Sequence, residues 1–195
     1  MNPVEEITRD RNEARNDGDR NADICFLALA SKDGKASVRT LVLRDIVQNR
    51  FILFINQTSP KWQLLSNGAD YEILLWYPSR QRQYRIHGDC EIVDESLVKT
   101  NWHRRPDGPK YMDYLYRDVA PQSSFIDNRQ DLVSEIDQIK SNHPVADMTP
   151  PAEVTGVELV ANRIEILDLN SEDRIHDRRL FTLLDDGWHV QVMIP

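Results

Sequence analysis

Two tight turns built on Asp-Gly constrain this chain more than any other feature. Lys32-Asp33-Gly34-Lys35 lies between two runs of strand-forming residues, Ile24 to Ala30 and Ala36 to Leu43. Asp185-Asp186-Gly187 lies between Leu180 to Leu184 and Trp188 to Ile194, where Trp188, Val190, Val192 and Ile194 alternate with polar residues. Asp-Gly in such a setting signals a hairpin, because the turn needs residues that tolerate positive φ. Hairpin-linked strands are antiparallel, so the sheet is expected to be antiparallel near both ends of the chain.

The middle of the chain fits the same plan. Phe51 to Ile55, Ile73 to Trp76, Gly156 to Val160 and Ile164 to Leu167 read as buried strands. Tyr84, Ile86, Cys90 and Ile92 alternate with Gln83, Arg85, His87, Asp89 and Glu91, with Gly88 marking a bulge. Helices are expected over 3–15, from a Ser59 cap through Pro60 to Ser66, from an Asp94 cap to His103, and over 127–140. Arg105-Pro106-Asp107-Gly108-Pro109 breaks the third of these, and 143–151 is a proline-rich loop. Roughly seven short strands joined by tight turns suggest a mainly β fold, a small closed or partly closed barrel with flanking helices. Strands and helices do not alternate as a doubly wound parallel sheet requires. A single domain is expected over 1–195, with 1–20 as a helical N-terminal extension and 156–195 as C-terminal strands.

Charge and composition narrow the function. The formal net charge of −8 opposes binding to nucleic acid or an anionic membrane. No apolar run approaches the length that crosses a bilayer, and the charged N-terminus is unlike a secretory signal. Cys25 and Cys90 have no metal-site spacing and are expected to be free buried thiols. No metal site is expected. These features read as a soluble, cytoplasmic chain. The seven glycines form neither a dinucleotide fingerprint nor a P-loop, and there is no nucleophile elbow or zinc helix. Any nucleotide would be held by side chains on a barrel.

Several clusters could do so. Arg174-Ile175-His176-Asp177-Arg178, if extended, places Arg174, His176 and Arg178 on one face. Two guanidinium groups and an imidazole suit an anion and proton handling. Arg39-Thr40-Leu41-Val42-Leu43-Arg44 carries an Arg at each end of a strand, on opposite faces by parity. Ser59 and Lys61 open a helix, a place suited to phosphate. Gln83, between Arg82 and Arg85, can donate and accept at once, as the edge of a heterocycle demands. Gln122-Ser123-Ser124 by itself reads only as a loop. Trp62, Trp76, Trp102 and Trp188 read as core.

Taken in order, these segments resemble the pyridoxamine 5'-phosphate oxidase family of FMN-binding split barrels. The resemblance rests on 36–44, 51–61, Arg82 to Gly88, Arg104-Arg105-Pro106, Gln122-Ser123-Ser124 and 174–178, with the ending Met193-Ile194-Pro195. It implies an antiparallel Greek-key split barrel, a homodimer, and FMN in the groove between subunits. It also implies an oxidase that converts pyridoxamine or pyridoxine 5'-phosphate to pyridoxal 5'-phosphate with O2, releasing H2O2. By matching position, Arg39 and Lys61 would bind the FMN phosphate, with Ser59 beside them. Thr40, Leu41, Val42, Leu43, Arg44, Phe54 and Ile55 would lie along the flavin. Gln83, Gln122, Ser123 and Arg178 would also bind FMN, with Gln122 and Ser123 coming from the second subunit. Arg174 and His176 would be catalytic and face the substrate together with Arg44, and Arg105 would hold its phosphate. The chain departs from the family pattern at Arg44 (Lys), Asn101 (Tyr), Leu167 (Trp), Pro60 (Arg) and Ile55 (Thr). These departures leave two further readings: a flavin reductase of another small molecule using reduced nicotinamide, and a non-enzymatic dimer that binds flavin, haem or a B6 vitamer.

Overall fold

A computed structural model describes residues 2–195. The elements in order are α1 (Pro3–Asn16), β1 (Ile24–Ala30), β2 (Ala36–Val42), β3 (Asp45–Val47), β4 (Arg50–Asn56), α2 (Pro60–Ser66), β5 (Asp70–Tyr77), β6 (Arg82–Ile92), α3 (Glu95–His103), α4 (Asp107–Asp118), α5 (Arg129–Asn142), β7 (Val154–Asp168), β8 (Asp177–Leu184) and β9 (Gly187–Met193). The sheet runs β2-β1-β5-β6-β7-β4-β3, and β8 joins β7 and carries β9. The architecture is mainly antiparallel β with flanking helices, as the hairpin turns require. A strand has two edges, yet β7 has three partners. Its 15 residues are long enough to share one edge between two of them.

The chain forms two compact units. The first comprises the chain to Leu53, Gly68–Glu91 and Glu158–Pro195. Its core is built by strand parity: Cys25, Leu27 and Leu29 of β1, Ile73, Leu75 and Tyr77 of β5, and Tyr84 and Ile86 of β6 are all buried. Phe51, Ile164, Ile166 and Phe181 complete it. Helix α1 starts at an Asn2 cap, whose Oδ1 accepts from the Val4 N–H at 3.0 Å, and Pro3 needs no partner at the first helical position. Its sequence is polar, and it buries polar groups that find polar partners. Arg11 donates to the carbonyls of Ala22 (3.0 Å) and Leu43 (2.5 Å), and Asp10 accepts from Tyr84 Oη at 2.5 Å.

The second unit comprises Phe54–Asn67 and Ile92–Val157. Val98, Trp102, Tyr114, Leu115 and Ile139 pack its helices, and Trp102 donates its indole N–H to Asp113 at 2.8 Å. The Ser59 and Asp94 caps form as expected, accepting from the N–H groups of Trp62 and Ser96.

Four local expectations are corrected. Gly156 to Leu167 is one continuous strand, not two, with the polar pair Asn162 and Arg163 exposed within it. Helix α4 grows out of the expected break, because Pro109 falls in its first turn, where a missing N–H costs nothing. Trp188, read as core, is half-buried on β9, where Val192 is 81% exposed. Cys25 is buried, which pushes its thiol up to about 12, but Cys90 is exposed; both are free.

Gly88 is required by close approach to β7. A Cβ there would lie 1.9 Å from the carbonyl oxygen of Val160, a backbone atom that cannot swing aside. Gly88→Ala is therefore expected to cost about 3 kcal/mol or more, read as a lowered urea midpoint with an unchanged slope.

Candidate functional site

The half-exposed face of the first unit is assembled by strand register. Phe26 pairs with Thr40 on one side and Leu74 on the other, and Leu74 pairs with Arg85. Thr40, Phe26, Leu74 and Arg85 therefore line up across four strands on the face opposite the core. Trp76 lies across from Gln83, and Leu167 from Arg178. A cleft of about 400 Å³ opens here, lined by Phe26, Leu74, Trp76, Gln83, Leu167 and Leu169. An apolar floor with one carboxamide suits a planar heterocycle with donors and acceptors on its rim. Gln83 and Leu167 are thus brought together in one cleft. Phe26, Leu74 and Trp76 were missed, although period-2 parity within Ile73 to Tyr77 already separates Leu74 and Trp76 from the core residues.

Arg39 has the opposite parity. It pairs with Leu27, donates from Nη2 to Ser37 Oγ at 2.7 Å, and leaves Nη1 buried with no hydrogen-bond partner. Burial lowers its pKa. A buried guanidinium nitrogen without a partner is costly unless an anion completes it. Thr40, Val42 and Arg44 are exposed, Leu41 is half-buried, and Leu43 is buried in the core.

The segment 174–178 corrects the strand reading. β8 begins only at Asp177, and Arg174 has φ 61°, so Arg174, His176 and Arg178 do not form one extended face. Arg174 is exposed at the turn. His176 Nδ1 accepts from the Asn170 N–H at 3.1 Å. Arg178 donates from Nε to Glu165 at 3.0 Å, and Glu165 also pairs with Arg85, which pairs in turn with Glu72 at 2.6 Å. Glu165 and Glu72 were missed. Their signal was two isolated acids on otherwise apolar strands.

The second unit holds another set. Lys61 Nζ donates to Gln122 Oε1 at 2.8 Å, and the Gln122 N–H donates to Thr58 Oγ1 at 3.0 Å. Gln122 therefore meets Lys61 within one chain. Ser123 has φ 75°. Ser59 is buried, and its hydroxyl donates to the Asn56 carbonyl at 2.6 Å while accepting from the Trp62 N–H. Ile55 is buried and Phe54 half-buried. Arg105 is held at 2.7 Å by Asp113, whose carboxyl burial pushes up, an effect that Arg105 and the Trp102 N–H oppose. Asn101 donates its amide to the Leu97 carbonyl of its own helix. Among the described residues there is no cluster of three metal-ligating side chains, and no helix is long and apolar enough to cross a membrane.

The antiparallel sheet and its flanking helices define a split barrel. PhzG from Burkholderia lata 383, solved with tetrahydrophenazine-1-carboxylic acid, shares the fold at TM-score 0.84 and 22% identity, over 100% of this chain and 93% of that one. A pyridoxamine 5'-phosphate oxidase-related, FMN-binding protein from Nostoc punctiforme does so at TM-score 0.74 and 19% identity, over 94% and 95%. Residues 6–94 match the family model of the pyridoxamine 5'-phosphate oxidase FMN-binding domain. Similar curated proteins include pyridoxine/pyridoxamine 5'-phosphate oxidases of Trichormus variabilis (29% identical, 87% of this chain and 77% of that protein) and Deinococcus deserti (27%, 87% and 78%). Over residues 6–94 the chain is thus similar to the FMN-binding domain of pyridoxamine 5'-phosphate oxidases, and the relatives it matches are named as oxidases of that type. The desolvated, incompletely paired Arg39 fits the phosphate of that cofactor, and the cleft at Gln83 fits a planar ring.

Arg105 also carries a structural duty. Arg105→Ala strands the Asp113 carboxylate in the interior and is expected to cost about 3 kcal/mol at neutral pH. A carboxyl whose folded pKa lies above its unfolded value loses stability as pH rises between the two. The deficit should thus shrink as pH falls and Asp113 takes up a proton, which denaturation at pH 7 and pH 4.5 would show.

Proposed function

We propose that this chain is a homodimeric, cytoplasmic FMN-dependent oxidase that converts pyridoxamine or pyridoxine 5'-phosphate to pyridoxal 5'-phosphate with O2, releasing H2O2. The observation that carries the cofactor assignment is the buried, unpartnered Nη1 of Arg39. The substrate assignment is supported by the relatives, which bear that activity in their names. The dimer is supported by the exposed apolar side chains of Val38 and Val42 on β2. The acidic charge and two free thiols favour the cytoplasm.

When bound, FMN supplies a two-electron acceptor that O2 can reoxidise. In this reading Arg39 and Lys61 grip its phosphate and Gln83, Gln122 and Ser123 hold polar edges. Thr40, Leu41, Val42 and Phe54 lie along it; Leu43, Ile55 and Ser59, which the resemblance also assigns to FMN, are buried side chains. Arg178, oriented by Glu165, favours negative charge on the ring. Arg174 and His176 orient the substrate, with Arg44 at its edge. Arg174 reaches its place through a left-handed backbone, a conformation that non-glycine residues adopt at a cost of about 1–3 kcal/mol and that clusters at functional sites.

A second reading keeps the flavin and changes the substrate to a phosphate-free ring acid. Arg105 is already paired with Asp113 and Asn101 turns onto its own helix, which weakens a phosphate grip at 101–105. The PhzG likeness, with its bound ring carboxylic acid, is in keeping with this.

Two variants separate the roles. Arg39→Ala should weaken FMN binding about 10- to 100-fold, the loss of a charge-assisted hydrogen-bond pair, measured by fluorescence titration of FMN. Arg174→Ala should retain FMN and lose flavin reduction by substrate under anaerobic conditions. Bleaching by pyridoxamine 5'-phosphate supports the B6 reading. Bleaching only by phosphate-free ring acids supports the second.

A further inference from the structure

The loop between β7 and β8 is ordered by its own polar groups. Asn170 Oδ1 accepts from the Glu172 N–H and Asp173 Oδ1 from the Ile175 N–H, both at 2.9 Å. Such turns stabilise a short irregular segment, here one that carries Arg174 at positive φ. The loop closes where the backbone N–H of Asn170 donates to Nδ1 of His176 at 3.1 Å. Its start is fixed twice: the Leu169 N–H donates to the Gln81 carbonyl at 2.9 Å, and the Asp168 carboxylate pairs with Arg82. Arg82 is itself held by Glu6 at 3.2 Å and Asp10 at 2.7 Å.

A backbone N–H can only donate, so the ring nitrogen that receives it carries no proton. In a neutral imidazole the proton then sits on the other nitrogen. We propose that the Asn170 N–H holds His176 as its Nε2–H tautomer, so that His176 meets the substrate as a hydrogen-bond donor and not as a base. Asn170 and the Arg82–Asp168 pair are then positioning residues, acting through the imidazole. The inference rests on the reading that His176 faces the substrate. It narrows that substrate to a ring bearing an oxygen acceptor, such as a phenolate or a carboxylate, placed against Nε2.

The test has a spectroscopic arm that needs no substrate. The FMN-loaded protein is labelled with 15N, and the His176 resonances among the five histidines are assigned by their loss in His176→Gln. At a pH where the imidazole is neutral, Nδ1 should appear fully unprotonated, with a coupling across the hydrogen bond to the Asn170 amide nitrogen. A tautomer-averaged Nδ1 with no such coupling overturns the assignment, whatever the substrate proves to be. The Asn170 amide should also exchange about tenfold faster in Asp168→Asn, and an unchanged rate removes Arg82–Asp168 from the positioning role. In the kinetic arm, His176→Gln keeps a donor and should reduce flavin within about tenfold of wild type, while the acceptor-only His176→Glu loses at least a further tenfold. A Glu variant faster than Gln would make His176 a base. If neither pyridoxamine 5'-phosphate nor a ring acid reduces the flavin, the functional reading fails while the tautomer result stands.

Discussion

Much of the first unit depends on where the Arg82 guanidinium can place its charge. It lies at the start of β6 and faces Glu6 and Asp10 from α1 and Asp168 from the end of β7. Burial works against the charged form, but the bonds to Asp168 and Tyr84 and the nearby Asp10 outweigh it, so the net pKa moves up. Removing the Arg82 guanidinium would leave the carboxylates of Glu6, Asp10 and Asp168 without this cation, a loss of about 3–5 kcal/mol. The polar helix α1 is therefore committed to this surface even though little of its sequence is apolar. The same guanidinium sets where β7 stops, and so where the loop bearing His176 begins. Tyr84 shares the arrangement: burial and the Asp10 carboxylate together push its hydroxyl well above the usual range.

What could be read from the sequence follows how local each determinant is. The Asp-Gly hairpins, the Ser59 and Asp94 caps and the alternation that buries Tyr84 and Ile86 on β6 depend on neighbours a few residues away, and they form as read; the same alternation fails further along β6, where Cys90 and Ile92 are exposed. The expectations that fail depend either on partners far along the chain or on local side-chain bonds that compete with the sheet. Trp188 reads as core from its residue type, but β9 takes its place in the sheet through β8, and Trp188 is only half-buried there while Val192 is exposed. The segment 174–178 has strand-like spacing. The side chains of Asn170 and Asp173 bind nearby N–H groups and fold 169–176 into a turn instead. Local side-chain to backbone bonds compete with the sheet in this way, and composition alone does not reveal the outcome.

The arginines show the same limit at the level of chemistry. Arg39 and Arg105 both read as anion ligands. Arg39 points to the inner face of its sheet and keeps a nitrogen unpartnered, so it is poised for an incoming anion. Arg105 is set against the buried Asp113, eight residues later on a helix that the two prolines had concealed. Residue type is common to both positions, and only the carboxylate decides which one remains available. Arg178 falls between them. Glu165 engages its Nε edge and sets its orientation, which is how a neighbouring acid can aim a cation without neutralising its whole surface.

Backbone strain links these points. Among the described residues, four non-glycine positions have positive φ: Gln48, Gln81, Ser123 and Arg174. Two of them, Ser123 and Arg174, are positions that the family resemblance assigns to cofactor and substrate. A third, Gln81, supplies the carbonyl that receives the Leu169 N–H and so anchors the loop carrying Arg174. Strain of this kind persists only where surrounding bonds over-determine the conformation. At 169–176 those bonds are visible: two side-chain turns, the closure onto His176, and the Arg82–Asp168 pair behind them. The cost of holding Arg174 in an unfavourable conformation is thus met by the same polar groups that fix His176. A substitution that relaxed the strain would release the imidazole as well, so the two side chains are positioned by one device and not independently.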